Sequence, residues 1–411
     1  MSQGPNYSSI FAGNVQISDG PSLDAFSRLR VSNSYTLFDS KQIYDANPLF
    51  WDDQQTSGSG TTSAHSVNTA SSTLSVGATT AGTRVRQTFR RFNYQPGKSQ
   101  LIFMTGTIGT AVSGITRRVG LFDENNGLFF EQTGSAFNVV RRTKASGSVV
   151  DVPVAQTAWN LDKMDGSGPS GIILLLDRTQ IFIIDYEWLG VGRVRYGVVI
   201  AGLIIYVHQR LNANILDVPY MSTPNLPLRY EISNDGTAAA SSLVHICTTV
   251  ISEGGQENTG LVLSAATGNT SITAASAGTL YPIIGMRLKT THFGATIKTE
   301  SMSIMGSSTN DPIQWVLLLN PTVTGTFTYA DLTNSACQLA YGAAATTATG
   351  GTMLNAGVLY SQSSQYNDLK NALALGSTIA GVADTIVLCV MPIAAAANAV
   401  VNATITWREL Q

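Results

Sequence analysis

The stretch from residue 181 to residue 208 limits the possible folds of this chain more than any other. Residues 181–188 and 192–200 are rich in β-branched and aromatic side chains, and a glycine-centred segment, 189–191, lies between them. A three-residue loop that contains glycine is a common hairpin connection. A second turn at Ala201-Gly202 returns the chain as a third strand. The sequence therefore predicts a three-stranded antiparallel meander.

The hairpin register gives the meander two different faces. Acids of the first strand lie opposite arginines of the second, which predicts two structural ion pairs, Asp185 with Arg195 and Glu187 with Arg193. The other face is entirely apolar and consists of Phe182, Ile184, Tyr186, Val194, Tyr196 and Val198. Because an apolar sheet face has to be covered, we expect a second sheet to pack against it.

Asp185 and Glu187 also permit a catalytic interpretation. Two carboxylates on one strand could serve as acid and nucleophile in a jelly-roll glycanase, which needs the pair about 5 Å apart. The glycanase pattern has a third acid two residues earlier, where this chain has Ile183. Arginine partners favour ionised carboxylates, whereas a general acid must carry a proton. We therefore predict no catalytic residue and a non-enzymatic protein.

Charged residues make up only 12% of the 411 residues, about half of the usual share of roughly 25%. A surface so poor in charge suits a protein that is packed against neighbours, or one whose outside is mostly β-strand. Residues 1–210 hold 18 basic and 15 acidic residues, and residues 211–411 hold 6 and 11. Neither half is basic enough to indicate wholesale nucleic-acid binding.

Arginines recur beside aromatic residues between Arg84 and Tyr94, and as the doublets Arg117-Arg118 and Arg141-Arg142. Such a run could grip nucleic acid or an acidic partner. Exposed strand arginines, or arginines that pair with a neighbouring subunit, are the interpretation we favour. No nucleic acid is expected as a partner.

No metal or cofactor site is expected. The four histidines are solitary, and the acid pairs Asp162/Asp165 and Asp123/Glu124 lack the spacing of a calcium loop. Three widely separated cysteines predict buried free thiols. The polar N-terminus predicts no signal peptide, and the longest apolar run, 198–207, is too short to cross a bilayer. We expect synthesis in a cytoplasm and no membrane partner.

Along the chain the sequence predicts an all-β protein in four parts. Residues 1–55 are interpreted as an extended arm, which lies on its own domain or on another subunit. A jelly-roll-like β-sandwich follows over 56–255, a linker or loop over 256–280, and a second β-sandwich over 281–411. One short helix is expected at 365–375. The residues expected to carry assembly through the arm are Phe26, Arg28, Tyr35, Phe38 and Trp51.

Several strings resemble structural proteins of tailed bacteriophages, those of marine phages especially. They are DAFSRLRVSNSYTLFDSKQ, TRVRQTFRRFNYQPGKSQLI, WNLDKMDGSGPSG, IDYEWLGVGRVRYGVVIAG and YMSTPNLPLRYEISN, with GVADTIVLCVMP and ITWREL near the C-terminus. Region 84–251 separately resembles a concanavalin-type jelly roll, a likeness of fold that transfers no activity.

The phage resemblance implies a component of the virion. The expected partners are copies of the chain itself, as a trimer or hexamer, and other virion proteins, in the tail, fibre, baseplate or capsid decoration. The alternative is a carbohydrate-binding adhesin module that contacts a host surface glycan through the jelly roll. Its candidate aromatic residues are Tyr44, Trp51, Trp159 and Tyr220.

Overall fold

The computed structural model describes residues 23–27, 29–30, 33–306, 312–343, 345–360, 364–369, 374–393 and 399–410. Within these ranges the chain forms β-strands and two short 3-10 turns, Gln156–Ala158 and Thr290–His292, and no α-helix. The prediction of an all-β fold is confirmed. The strands form two β-sandwiches, which follow one another along the chain.

The first sandwich contains fifteen of the described strands. They are β1 Tyr35–Lys41, β2 Trp51–Gly58, β3 Thr61–Ser66, β4 Ser71–Val76, β5 Gly82–Thr88, β6 Ser99–Thr107, β7 Ile115–Phe122, β8 Gly127–Thr133, β9 Ala136–Thr143, β10 Val150–Ala155, β11 Gln180–Tyr186, β12 Val194–Ile200, β13 Leu203–Arg210, β14 Leu228–Asn234 and β15 Ser241–Glu253.

These strands build two antiparallel sheets with one apolar core between them. The front sheet has the order β13-β12-β11-β6-β15-β4-β3, with β1 also paired to β15, and the back sheet has the order β10-β9-β8-β7-β14-β5-β2. Phe130 of the back sheet packs against Phe182 and Tyr196 of the front sheet, with ring centroids 5.0 and 5.6 Å apart. The interior therefore closes by aromatic contacts between the sheets.

Strands β11, β12 and β13 are the meander expected from the sequence. Asp185 lies opposite Arg195, and the turn residues Ala201 and Gly202 have φ values of 52° and 80°. Two successive positive φ angles are typical of the tight hairpin turns that match strand twist. All six residues of the predicted apolar face are fully buried in the core.

The prediction of an arm over residues 1–55 is wrong from Tyr35 onward. β1 pairs with β15, and Phe38 packs its ring 5.3 Å from Phe92. Trp51 is buried and donates its indole N–H to the Ser40 hydroxyl at 2.9 Å. Phe38 and Trp51 fill the chain's own core, since burial there removes more apolar surface from water than an exposed arm would.

The second sandwich contains the remaining described strands. They are β16 Leu261–Ala266, β17 Ile272–Ala274, β18 Tyr281–Leu288, β19 Thr296–Gly306, β20 Pro312–Leu319, β21 Thr322–Thr324, β22 Ala330–Asp331, β23 Cys337–Tyr341, β24 Thr347–Thr349, β25 Thr352–Tyr360, β26 Ser364–Asp368, β27 Thr385–Pro392 and β28 Ala399–Leu410.

One sheet of this sandwich has the order β16-β28-β19-β26, with β17 also on β28, and the other has the order β22-β23-β18-β27-β20-β25. Trp315 and Trp407 are buried in the core between them. Strands β21 and β24 form a separate ribbon. Val323 of this ribbon and Phe327 pack on a small outer cluster that includes Val316 and Val387.

Two further predictions for this half need correction. Residues 256–280 are not only a linker, because β16 and β17 within them pair with β28. The helix expected over 365–375 is replaced at its start by β26, which pairs with β19. In both places hydrogen bonds to a distant strand override a weak local preference.

Candidate functional site

Asp185 lies at the centre of a buried charge cluster on the outer face of the front sheet. Its side chain has no exposed surface, and Arg195 is only 1% exposed. One carboxylate oxygen, Oδ2, accepts hydrogen bonds from Arg195 Nη2 at 2.6 Å and from the Tyr206 hydroxyl at 2.7 Å. Burial and the Asp185 charge both raise the pKa of Tyr206, so this phenol remains a donor.

The described residues of the N-terminal segment, 23–27 and 29–30, cover this cluster. Arg30 donates to Asp185 Oδ2 at 2.5 Å and lies 3.1 Å from Glu253. The carbonyl oxygen of Leu23 accepts from Arg195 Nη2 at 2.7 Å. Arg28, predicted as an assembly residue, lies outside the described residues, and Phe26 lies on this segment. The described part of the N-terminal segment therefore lies on its own domain.

Arg193 binds the same segment through the backbone. Its Nε donates to the Ala25 carbonyl at 3.0 Å, and its Nη2 donates to the Asp24 carbonyl at 3.0 Å. Its own backbone N–H donates to Glu187 Oε1 at 2.9 Å. The four predicted ion-pair residues thus lie together, and Asp185, Arg193 and Arg195 hold a covering segment that period-two patterns did not reveal.

A cluster arranged in this way suits structure better than acid–base catalysis. The Asp185 carboxylate is covered, and two guanidinium groups contact one of its oxygens. A general acid or nucleophile must reach its substrate, and a general acid must also hold a proton. Burial, with a smaller contribution from Asp185, raises the pKa of Glu253, but Arg30 and the N-terminal segment separate that group from solvent.

Most of the arginines that could have formed a basic surface have acidic partners within the chain. Arg84 lies 2.5 Å from Asp53, and Arg118 lies 2.6 Å from Glu231. Arg142 pairs with Asp151 at 2.8 Å. Phe122 and Phe129 lie under this ladder on the outer face of the back sheet, where arginines stack over their rings. These arginines therefore interact with acids and aromatic rings of their own chain.

Three of the four aromatic residues considered for glycan binding are buried. Trp51, Trp159 and Tyr220 are 2%, 3% and 1% exposed, which excludes them from stacking on a sugar at the surface. Tyr44 is 87% exposed. No sequence pattern distinguished Tyr44 from the others, because each of the four stands in a turn-rich stretch.

A polar cleft of about 360 Å³ lies where the two sandwiches meet. Asn225 of the first sandwich donates to the Gly294 carbonyl of the second at 3.0 Å. Arg91 lies over the Phe293 ring at 5.8 Å and 3.4 Å from Asp123. The cleft combines one aromatic ring with several side chains that can hydrogen-bond.

The side of the second sandwich formed by β25, β26 and Met305 is called the edge surface here. Among the described strands, β25 pairs with β20 alone, and its nine residues include no charged residue and no proline. Met353, Val358 and Tyr360 of this strand are 56%, 58% and 68% exposed. β26 adds Tyr366, which is 71% exposed. An edge of this length and composition is open to pairing with another strand.

Packing beneath the edge surface holds β25 in place. A side chain added at Gly357 would lie 2.5 Å from the Trp315 ring, so the strand rests directly on the indole. The Trp315 indole N–H donates to Gln365 of β26 at 2.7 Å. The exposed strand is therefore a preformed element and not a loose segment.

Two edge strands of the first sandwich, β10 and β13, are protected by comparison. β10 carries Asp151 and Pro153, and charge and proline both oppose strand addition. The edge of β13 receives two hydrogen bonds at the Val207 carbonyl, from the backbone N–H groups of Leu161 and Asp162. β25 has neither charge nor proline, and Asn355 Oδ1 on this strand accepts the backbone N–H of Ala356 at 2.9 Å.

No group of three metal-ligating side chains occurs in the part of the chain that the structure describes. The same residues include no helix that is long and apolar enough to cross a membrane. Cys337 and Cys389 are buried free thiols, and Cys247 is half-buried. Burial raises the pKa of Cys389 to about 12, which keeps its thiol protonated.

Comparison with known proteins gave matches among solved structures only. No family model matches the chain, and no curated protein matches it. One similar structure is the CBM2 module of the evolved Dit protein of Lactobacillus casei BL23 phage J-1, at 8% identity over 55% of this chain and 98% of that one, with a TM-score of 0.36.

Two other similar structures come from outside phages. A glycoside hydrolase family protein of Mycobacterium thermorestibile shows 12% identity over 52% of this chain and 99% of that one, with a TM-score of 0.35. Peanut lectin shows 10% identity over 54% and 98%, with a TM-score of 0.30. Similarity this low adds no argument about what the chain binds or catalyses.

Proposed function

We propose that this protein is a non-enzymatic structural subunit of a bacteriophage particle, and that it assembles with copies of itself through the edge surface. The location in the virion and the contacts with other virion proteins rest on the sequence strings that resemble tailed-phage structural proteins. The single structural observation that carries self-assembly is β25, a nine-residue edge strand without charge.

Backbone chemistry supports a strand of a second copy as the occupant of this edge. A strand paired on one side only leaves a row of N–H and C=O groups that need partners. A second β25 brings a matching row, and neither copy brings a charge that would be buried unpaired. Met353, Val358 and Tyr360 then bury apolar surface between copies.

The test is the native mass of the full chain, measured over a wide range of concentration at moderate salt. We expect an oligomer for the natural sequence and a monomer for Val358→Lys, because each copy would then bring a charge into an apolar strand interface. Val358 is exposed, so this substitution should change the free energy of unfolding by no more than about 0.5 kcal/mol.

Val67→Lys is the matched control, since Val67 is 63% exposed and lies in a turn of the first sandwich. This variant should assemble as the natural sequence does. A natural chain that stays monomeric at every concentration would overturn the self-assembly part of the proposal. So would a Val358→Lys variant that keeps the oligomeric mass. Antibody labelling of purified particles then tests the virion location.

Glycan binding is the second candidate, and the cleft between the sandwiches favours it. Aromatic rings beside hydrogen-bonding groups suit the apolar and polar faces of a sugar. Phe293, Asp123 and Asn125 line this cleft. A glycan array probed with the natural chain and with Phe293→Ala separates the two candidates, because assembly through β25 does not involve Phe293.

A further inference from the structure

Arg141 differs from the paired arginines of the first sandwich. Its guanidinium group is half-buried, yet no carboxylate lies within salt-bridge distance and no hydrogen-bond acceptor contacts it among the residues that the structure describes. Its Nε atom is fully buried without a partner. The adjacent Arg142, in contrast, holds Asp151 through two hydrogen bonds of 2.8 Å.

A second arginine faces Arg141 from the other sheet. Arg210 ends β13, and its Nη2 donates to the carbonyl oxygen of Val152, the residue that pairs with Arg141 in β10, at 2.5 Å. The Nε atom of Arg210 is also buried without a partner. Burial, and next the charge of Arg210, lower the pKa of Arg141. Two cations therefore lie near each other at the β10–β13 side of the first sandwich.

Among the described residues, the groups that surround the two arginines offer hydrogen bonds and are neutral. Tyr196 donates its hydroxyl to the Val140 carbonyl at 2.8 Å and interacts with Arg210. Burial raises the pKa of Tyr196 to about 12, so its phenol is neutral. His208 accepts the backbone N–H of Asn160 at Nδ1, at 3.4 Å. Burial, helped by Arg210, lowers the pKa of His208 to about 4, so it is neutral too.

We propose that Arg141 and Arg210 form an oxyanion-binding site at the β10–β13 side of the first sandwich. Guanidinium groups bind carboxylate, phosphate and sulfate through parallel N–H donors, and a desolvated cation gains most from such a partner. An oxyanion here would satisfy the unpartnered N–H donors and relieve the repulsion between the two cations. The site lies away from the edge surface and is independent of assembly.

The experiment is a titration of the full chain with inorganic phosphate in a chloride buffer of low ionic strength, followed by calorimetry and by thermal unfolding. We expect saturable binding and a higher unfolding temperature. Arg141→Gln should weaken binding by about tenfold to hundredfold, as expected for a charged hydrogen bond. Arg178→Gln is the matched control, because Arg178 is 75% exposed and lies on a loop.

A second measurement needs no variant. Phosphate bound beside Arg210 should raise the pKa of His208, which can be followed by the NMR shifts of its ring protons with increasing phosphate. Competition with acetate and with glucuronic acid distinguishes a tetrahedral oxyanion from a carboxylate. No phosphate binding by the natural chain, or equal binding by Arg141→Gln and Arg178→Gln, would overturn the site.

Discussion

The two sandwiches use charge in opposite ways. In the first, arginines and acids of neighbouring strands pair across the outer sheet faces, and the N-terminal segment covers the Asp185 cluster. Residues 256–411, in contrast, contain only twelve charged residues, of which Glu300 and Arg408 form an ion pair at 2.6 Å. In the first sandwich, the chain's own residues cover the Asp185 cluster. In the second, β25 pairs with β20 alone among the described strands.

Because charge and proline oppose strand addition at a sheet edge, the nine residues of β25, which include neither, mark where contact with a neighbour is expected. The same charge poverty that looked like a property of the whole protein is concentrated in one sandwich. In the first half the charged residues are more numerous, and many of them pair with one another within the chain.

The largest expected loss of stability comes from removing the Asp185 carboxylate of the first sandwich. Asp185→Asn leaves Arg195 and Arg30 buried without their shared carboxylate, and such a change typically costs about 3–5 kcal/mol of unfolding free energy. Denaturant unfolding measures the loss. Asp177→Asn is the control, because Asp177 and Arg178 form an exposed pair that should contribute less than about 1 kcal/mol. Similar losses for both variants would contradict a stabilising role of the buried Asp185 cluster.

A smaller loss is expected from β1, which tests whether the N-terminal aromatics belong to the first sandwich. Phe38→Ala removes a ring that contacts Phe92 and Trp51 and should cost about 3 kcal/mol. Tyr35→Ala, on the same strand but 48% exposed, should cost less than about 1 kcal/mol. Thermal unfolding and native mass are measured together. Loss of oligomers without loss of stability in Phe38→Ala would restore the arm hypothesis.

Acidification should destabilise the first sandwich through its buried histidines. The pKa of His208 is about 4 in the folded chain, against 6.5 ordinarily, and burial also lowers the pKa of His245 far below that value. Between these values the unfolded chain binds protons that the folded chain does not, so stability falls as pH drops from about 6.5 towards 4. Calorimetry at pH 7 and pH 5 measures the change. His208→Gln should flatten it, and an unchanged slope would contradict the assignment.

The period-two pattern predicted several strands of the first sandwich. It did not predict which residues cover the outer faces of the sheets. The alternation from Phe182 to Val198 predicted both the strands and the side that is buried, because side-chain direction in a strand depends only on local geometry. The arm hypothesis failed at Phe38 and Trp51 for the opposite reason. The sequence does not distinguish an aromatic residue buried in its own core from one buried by another subunit.

The unpartnered pair Arg141 and Arg210 illustrates the same limit. Sequence patterns grouped Arg141 with Arg142 as one doublet, although successive side chains of a strand point to opposite faces. Arg142 pairs with Asp151 on the next strand, and Arg141 faces the interior. Only the position of β13, 69 residues further along the chain at Arg210, makes the second a candidate site.

By itself the sequence determined the all-β class, the meander and the register that sets Asp185 opposite Arg195, since these depend on neighbours along one hairpin. The tertiary structure alone decided that Arg30, 155 residues away, also contacts Asp185, and that β25 lies at an edge. Strand order and surface coverage arise from long-range pairing, whose closure entropy and packing no local period encodes.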